Sequence, residues 1–169
     1  MIANRLRVFV RQPFTETSSK GDLTKIMGSL LKYKRHPMEV LPYSEVGEGD
    51  DFRETFQSKT GIKFTPENFR NYRLDAIRKS NAMFIMRNNL SESTAFELGY
   101  IYSKFPHLPL FFAIDAKHPI KTTLLRDLHP NTVYCTYNQP EDVEPQLHDW
   151  LDFVARSNNV GHGCSLTEG

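Results

Sequence analysis

Short apolar segments alternate along this chain of 169 residues with segments whose apolar residues recur at helical spacing. Such an alternation predicts βαβ units, and therefore a parallel sheet that is covered by helices on both faces. The predicted strands are Leu6–Val10, Met38–Leu41, Ala82–Met86, Leu108–Ile114 and Thr132–Tyr137.

From this alternation we expect an α/β fold. It is a single small doubly wound domain, of the flavodoxin or Rossmann type, with a five-stranded and mostly parallel sheet. Residues 1–157 are expected to form this domain, and residues 158–169 a flexible C-terminal tail that is poor in apolar side chains.

Helices are predicted between the strands. Leu23 to Leu31 have helical spacing, and Thr65-Pro66 is a good helix start because threonine caps and proline suits the first helical position. That second helix is expected to end near Ser80. The remaining helices are expected at 91–104, 122–128 and 141–156.

Two segments are predicted in more detail. The closing helix should turn its apolar side chains inward, namely Val143, Leu147, Trp150, Leu151 and Val154. Residues 44–64 are rich in glycine and charge, so we expect a long loop, and loops of that length are often binding loops or lids.

The composition excludes several classes of protein. A hydrophobic fraction of 39% and a charged fraction of 24% are ordinary for a globular domain, and the net charge of +1 gives no reason to expect nucleic-acid or membrane-surface binding. Cys135 and Cys164 do not make a disulfide framework. We see no signal peptide and no apolar run long enough to cross a bilayer, so a cytoplasmic protein is expected.

The segment 91–100, Ser-Glu-Ser-Thr-Ala-Phe-Glu-Leu-Gly-Tyr, directly follows the third predicted strand. It can hold Glu97 at the carboxyl edge of the sheet, where open α/β sheets bind ligands. Ser91, Ser93 and Thr94 would lie at a helix N-terminus, whose free N–H groups and dipole suit an anion. Two structural interpretations compete: Thr94 and Glu97 match a capping box, or Glu97 lies one turn into the helix on a polar face.

Residues Ser93 to Tyr100 resemble the signature of the nucleoside 2-deoxyribosyltransferase family and its nucleotide N-glycosidase relatives. Val8 to Phe14 also resembles the first strand and following loop of that family, and the whole resemblance spans residues 5–155. It implies that Glu97 is a nucleophile that attacks C1′ and forms a glycosyl-enzyme intermediate, which then passes to a second base or to water. A carboxylate suits an oxocarbenium-like transition state.

The resemblance has further implications. The chemistry requires no metal and no cofactor, and a neighbouring subunit completes the crevice in relatives, so a homo-oligomer is expected. Family members that act on free nucleosides carry an aspartate six positions before the glutamate, where this chain has Ser91. A serine hydroxyl can donate to a 5′-phosphate that a carboxylate would repel, although the charge of Glu92 opposes this. We therefore favour a nucleotide substrate.

Other candidate residues have plain alternatives. Gln12 and Phe14 close the first strand and could hold a base, or could form a turn with a packed ring. Arg87 and Asn88 follow the third strand and would line the crevice, with Arg87 as a phosphate partner or as an exposed loop arginine. Asp75 lies off the core stripe of its helix, so we expect it at the surface.

The sequence also contains a basic run and six histidines, and neither indicates a binding site. Residues 32–36 are interpreted as a solvated helix end in preference to an RNA-binding patch, because cations suit the last turn of a helix. The six histidines show no metal-ligand spacing, and no glycine-rich dinucleotide loop or P-loop is present.

Three functions remain open from the sequence. The first is cleavage or transfer at the N-glycosidic bond of a nucleoside 5′-monophosphate or nucleoside, a small-molecule substrate, through Glu97. The second is a TIR-like NAD-cleaving domain, since that fold is also flavodoxin-like and also places a glutamate beyond a serine at a helix start. The third is a non-catalytic nucleotide-sensing module, which would keep the anion site at Ser91 to Thr94 without needing Glu97.

Overall fold

A computed structural model describes residues 5–11, 20–41, 52–87, 92–128 and 130–160. The strands are β1 (Leu6–Arg11), β2 (Met38–Leu41), β3 (Ala82–Arg87), β4 (Leu110–Asp115) and β5 (Thr132–Tyr137). The α-helices are α1 (Lys20–Lys32), α2 (Phe52–Thr60), α3 (Pro66–Lys79), α4 (Glu92–Lys104) and α5 (Val143–Val160). Short 3₁₀ turns span Thr123–Leu125 and Pro140–Asp142.

The strands form one sheet in the order β2-β1-β3-β4-β5, and every neighbouring pair is parallel. This order confirms the predicted doubly wound α/β fold and is that of the flavodoxin type. After β1 the chain proceeds to β2 on one side, and it then returns to place β3 on the other side of β1. The order therefore reverses between β1 and β3, and ligands of such sheets bind outside the carboxyl ends of the strands at that point.

Two apolar layers cover the sheet. Helices α1 and α5 pack on one face, and α3 and α4 pack on the other. All six residues of β3 are buried, as expected for a central parallel strand that is covered on both faces. The five inward positions predicted for the last helix, from Val143 to Val154, are all buried.

Element boundaries mostly follow the sequence prediction. Thr65 caps α3 through its hydroxyl, which accepts from the Asn68 N–H at 3.0 Å. Strand β4 begins at Leu110, two residues later than predicted, because Pro109 has no N–H for the strand ladder. Helix α5 continues to Val160, beyond the predicted boundary at residue 157, and residues 161–169 lie outside the described part of the chain.

The prediction of a long loop over residues 44–64 is wrong for its second half, which contains α2. The glycine and charge content hid an aromatic pattern, since Phe56 is fully buried and its ring meets three others. The ring centroids of Phe64, Phe69 and Tyr72 lie 6.0, 5.4 and 5.5 Å from that of Phe56. Such edge-to-face contacts stabilise α2 against α3 and override the weak local helix signal. Residues 44–51 lie outside the described ranges.

Within the described ranges, none of the helices has both the length and the apolar character needed to cross a membrane.

Candidate active site

Glu97 lies in the second turn of α4, the helix that follows β3, and it is only 4% exposed. The capping-box interpretation is wrong, because α4 begins at Glu92 and Thr94 is already inside the helix. The alternative is right to place Glu97 one turn into the helix, but the carboxylate is buried against Arg73 and Arg11 and does not lie on an open polar face. A carboxylate is almost never buried unless it is paired, so its partners define the site.

Two arginines compensate the charge of Glu97. Nε of Arg73, on α3, donates to Oε1 of Glu97 at 2.5 Å. Nε of Arg11, the last residue of β1, lies 3.4 Å from Oε2. The side chains of both arginines are more than nine-tenths buried. Three elements that are distant in sequence thus meet in one buried charge cluster at the β1–β3 reversal.

The guanidinium of Arg73 is also held by aromatic rings. Its Cζ lies 5.0 Å from the ring centroid of Phe9 and 5.6 Å from that of Phe69. Within the described part of the chain its Nη1 and Nη2 make no hydrogen bond. Ring faces attract a guanidinium electrostatically, so Phe9 and Phe69 fix the direction from which Arg73 contacts Glu97.

The two oxygens of Glu97 differ in their contacts. Oε1 is held by Arg73, whereas Oε2 makes no hydrogen bond to any described residue. Nε of Arg11 donates instead to Oγ1 of Thr94, at 3.1 Å. Burial lowers the pKa of Arg11 to about 10, the charge of Arg73 adds to this and that of Glu97 opposes it. Arg11 therefore stays charged at neutral pH.

Arg87 is a third buried arginine at this edge of the sheet. It ends β3 and is 8% exposed, so the interpretation as an exposed loop arginine is wrong. Nη1 of Arg87 lies 3.5 Å from the carbonyl oxygen of His118, and no described carboxylate pairs with it. Burial lowers the pKa of Arg87. A buried cation with no carboxylate partner among the described residues is a candidate for holding an anion.

The remaining candidates are placed as follows. Thr94 is half-buried and contacts Arg11, whereas Ser93 is exposed on the outer side of α4. Four predicted substrate-binding residues lie outside the described part of the chain, namely Gln12, Phe14, Asn88 and Ser91. Their roles stay predictions.

Two plain interpretations from the sequence are confirmed. Asp75 lies at the surface, where it pairs with Arg78 at 3.3 Å and with Lys79 at 2.5 Å. The basic run at the end of α1 is bound to acidic residues of α5: Lys32 pairs with Glu144, and Arg35 with Asp152. This run is therefore a helix end and not an open cationic patch.

The sequence interpretation missed Arg11 and Arg73 as members of the site. A signal was available, because Arg73 falls on the inward stripe of α3 beside Ala76 and Ile77, and Arg11 ends a strand of buried residues. A cation on an inward stripe is a reason to look for a buried carboxylate as its partner.

Metal-ligating side chains are not grouped around this cluster in the part of the chain that the structure describes. Within the described ranges, no group of three or more histidine, cysteine, aspartate or glutamate side chains is arranged to hold an ion. An open cavity of about 470 Å³ lies at the opposite, amino end of β2, where Tyr33, His36 and Met38 are among its lining residues. None of the residues that line it belongs to the Glu97 cluster.

No protein-family model and no curated protein sequence matches this chain. Its structure is similar to that of the Clostridium botulinum CMP N-glycosidase BcmB, with a TM-score of 0.59 and 18% identity. That likeness covers 85% of this chain and 98% of the other. At this identity it concerns the fold and not the reaction.

Two weaker likenesses have TM-scores below 0.5 and carry no argument about function. A 2-deoxyribosyltransferase from Bacillus psychrosaccharolyticus gives 0.45 at 20% identity, over 82% of this chain and 90% of the other. The Paracoccus denitrificans flavoenzyme FerB gives 0.44 at 14% identity, over 90% of this chain and 95% of the other. The chain therefore shares its fold with the CMP N-glycosidase BcmB.

Proposed function

We propose that this protein cleaves or transfers at the N-glycosidic bond of a nucleoside 5′-monophosphate or nucleoside, with Glu97 as the nucleophile. The observation that carries the proposal is the asymmetry of the Glu97 carboxylate. It is buried at the β1–β3 reversal, with Oε1 fixed by Arg73 and Oε2 without a hydrogen bond to any described residue. The shared fold with an N-glycosidase supports it.

The chemistry proceeds in two displacements. Oε2 of Glu97 attacks C1′, the bond from C1′ to the base nitrogen breaks, and its electron pair leaves with the base. Water, or a second base, then attacks C1′ and releases the carboxylate. A negative charge beside C1′ stabilises both oxocarbenium-like transition states. Arg73 fixes the direction of the carboxylate, so little orientational freedom is lost in the attack.

A 5′-monophosphate is favoured over a free nucleoside. Arg11 and Arg87 end the two strands that flank the reversal, and Arg87 has no described carboxylate partner. A guanidinium can bind a phosphate through two parallel hydrogen bonds. In this proposal Arg87 contacts the 5′-phosphate, and Ser91 adds a hydroxyl donor to it.

The expected homo-oligomer belongs to the same proposal. Light scattering during size-exclusion chromatography tests it, because a monomeric, active protein would show that one chain completes the site by itself.

Base release tests the reaction. The purified protein is incubated separately with each common nucleoside, each 5′-monophosphate and NAD, and free base or nicotinamide is measured chromatographically. We expect release from at least one 5′-monophosphate, and we expect Glu97→Gln to abolish it. The matched control Glu54→Gln changes an exposed glutamate on α2 and should leave the rate unchanged. Release from NAD alone would contradict the proposal and favour the TIR-like reaction.

Substrate choice is tested at Ser91. Ser91→Asp should shift the preference from monophosphates to nucleosides, and Arg87→Met should raise KM for the monophosphate far more than for the nucleoside. An unchanged ratio of kcat/KM values in both variants would remove the phosphate argument but not the assignment of Glu97.

A second candidate is a nucleotide-sensing module without turnover. The ion pairs favour it, because a carboxylate between two arginines can serve simply to hold them in place for an anionic ligand. Calorimetric titration with 5′-monophosphates separates the two functions. A sensor would bind a nucleotide without releasing base, whereas the enzyme would release base from the nucleotide that it binds.

A further inference from the structure

Asp115 and His118 form a pair at the carboxyl end of β4, outside the Glu97 cluster. Nδ1 of His118 lies 3.0 Å from Oδ2 of Asp115. Asp115 is 8% exposed, whereas about half of the imidazole is open to solvent. A buried carboxylate that holds a partly exposed imidazole is a common arrangement for a histidine that transfers protons.

The turn after β4 fixes both side chains. The N–H of Lys117 donates to Oδ1 of Asp115 at 2.9 Å, and the N–H of His118 donates to the Asp115 carbonyl at 2.8 Å. Burial alone would raise the pKa of Asp115, but the hydrogen bonds from Lys117 and His118 outweigh it and hold that pKa below its ordinary value. Asp115 is therefore ionised at neutral pH and accepts a hydrogen bond from Nδ1–H. Nε2 has no partner among the described residues.

A structural turn does not account for the whole arrangement. The hydrogen bond from Lys117 to Oδ1 is enough to make the turn. Within the described residues Oδ2 accepts no hydrogen bond from the backbone, and it contacts the imidazole of His118. That contact selects one tautomer and directs Nε2 away from the carboxylate.

The pair belongs to the same edge of the sheet as Glu97. Strand β3 lies between β1 and β4, and Arg87 at its end contacts the carbonyl of His118 at 3.5 Å. Two strand spacings separate β1 from β4, which is about 10 Å. A nucleotide whose sugar lies over the β1–β3 crevice is long enough to extend its base across β3 towards His118.

We propose that His118 is the general acid and base of the reaction, with Nε2 facing the leaving base and Asp115 positioning the imidazole. The inference rests on the proposed function and extends it to the class of substrate, a nucleotide whose base needs a proton to depart. As the bond from C1′ to the base breaks, imidazolium Nε2–H protonates the base that carries the electron pair away. Neutral Nε2 then takes a proton from the attacking water, which restores the imidazolium.

Two substrates separate proton transfer from nucleophilic attack. One is the 5′-monophosphate that the wild-type protein cleaves fastest, and the other is 4-nitrophenyl ribofuranoside 5-phosphate, whose nitrophenolate leaves without a proton. We expect His118→Gln to lower kcat/KM on the nucleotide by about 10²- to 10⁴-fold, the usual contribution of general acid–base catalysis. On the nitrophenyl substrate kcat/KM, which reports the first displacement, should fall by less than about tenfold, because nitrophenolate leaves without a proton. The kcat on that substrate should still fall, because the second displacement uses the histidine as a base.

The variants and the pH profile complete the test. His107→Gln is the matched control, since it makes the same change at an exposed histidine after α4. Asp115→Asn should show the same selectivity between substrates with a smaller loss. We expect kcat/KM of the wild type on the nucleotide to fall at alkaline pH, and we expect this fall to be absent in His118→Gln. Among the described residues, Asp115 contacts the ring of His118, Arg87 contacts its carbonyl oxygen, and Lys117 is its neighbour in the chain, so the wild-type profile includes their influence.

The experiment distinguishes failure of the His118 role from failure of the proposed function. Equal losses of kcat/KM on both substrates, or no loss on the nucleotide, would overturn the role of His118 while the proposed function stands. A wild-type protein that cleaves neither substrate would overturn the proposed function and this inference together. Thermal unfolding of His118→Gln should match the wild type, because the imidazole is half exposed.

Discussion

Replacing Arg73 with methionine should destabilise the fold strongly. The change removes the donor to Oε1 of Glu97 and leaves the buried carboxylate with Arg11, whose Nε is 3.4 Å away. Breaking a buried ion pair by removing one partner costs about 3–5 kcal/mol. The lost cation–π contacts to Phe9 and Phe69 are largely offset, because a methionine sulfur also packs well against rings. The broken ion pair therefore determines how much stability Arg73→Met loses.

That loss is large compared with the stability of a domain. Domains of this size are stable by about 5–15 kcal/mol, so a loss of about 3–5 kcal/mol removes a substantial part. The melting temperature should fall by about 6–20 °C, since each kcal/mol corresponds to about 2–4 °C at this length. Glu97→Gln should also destabilise, and the two changes together should cost less than their sum by about 2–3 kcal/mol, because they remove one shared interaction.

Urea unfolding followed by tryptophan fluorescence measures these values. Trp150 is the only tryptophan of the sequence and is 4% exposed. It packs on the α1–α5 face of the sheet, whereas Arg73 lies on the α3–α4 face, so a change in its midpoint reports global unfolding. Lys79→Met is the control, because it breaks an exposed pair with Asp75 that is worth less than about 1 kcal/mol. A cost below about 1 kcal/mol for Arg73→Met would refute the reasoning.

Three further changes test other parts of the fold. Tyr33→Phe removes a 2.6 Å hydrogen bond to the Asp152 carboxylate and should cost about 1.5–3 kcal/mol in urea unfolding. Burial, and then Asp152, raise the pKa of Tyr33. Above pH 10 the unfolded chain therefore loses a proton that the folded protein keeps, and stability falls as pH rises by about 1.4 kcal/mol per pH unit. Tyr33→Phe should lack this alkaline loss of stability. If the stability of the variant fell with pH as steeply as that of the wild type, the loss could not be assigned to Tyr33. Phe56→Ala should lower the free energy of unfolding by about 3–5 kcal/mol, because it leaves a cavity between α2 and α3. The control Phe153→Ala, at a 43% exposed position, should lower it by less than about 1 kcal/mol. Equal losses would refute the packing of α2 through a buried Phe56. Thr65→Ala should cost about 1 kcal/mol by removing the cap of α3, and Thr65→Asn should restore most of it in thermal unfolding.

The sheet could be predicted from the sequence because its information is local. Each strand is a short apolar run, and the turn chemistry at Thr65 and Pro109 lies within a few residues of the boundary that it sets. The helix α2 could not be predicted in the same way. The stability of α2 depends on ring contacts of Phe56 with Phe64, Phe69 and Tyr72. These contacts join residues of different segments, so they cannot be predicted from local composition.

The candidate site was only half predictable for the same reason. The position of Glu97 after β3 follows from the local pattern, but its burial does not. The start of α4 at Glu92 is what rejects the capping box. Arg11 and Arg73 precede Glu97 by 86 and 24 residues, and only the sheet order brings them to its two oxygens. A charge on an apolar stripe indicates that a partner exists, but the topology decides which one it is.

Burial alone does not distinguish a nucleophile from a structural ion pair, so the form of the contact between Arg73 and Glu97 becomes the relevant observation. A pair selected only for stability gains most from two parallel hydrogen bonds between guanidinium and carboxylate. Arg73 contacts Glu97 through Nε alone, and its Nη1 and Nη2 make no hydrogen bond within the described residues. The rings of Phe9 and Phe69 hold the guanidinium in that position. The single contact from Arg73 fixes Oε1, whereas Oε2 is buried 3.4 Å from Nε of Arg11 and makes no hydrogen bond within the described residues. Our proposal takes this second oxygen as the nucleophile.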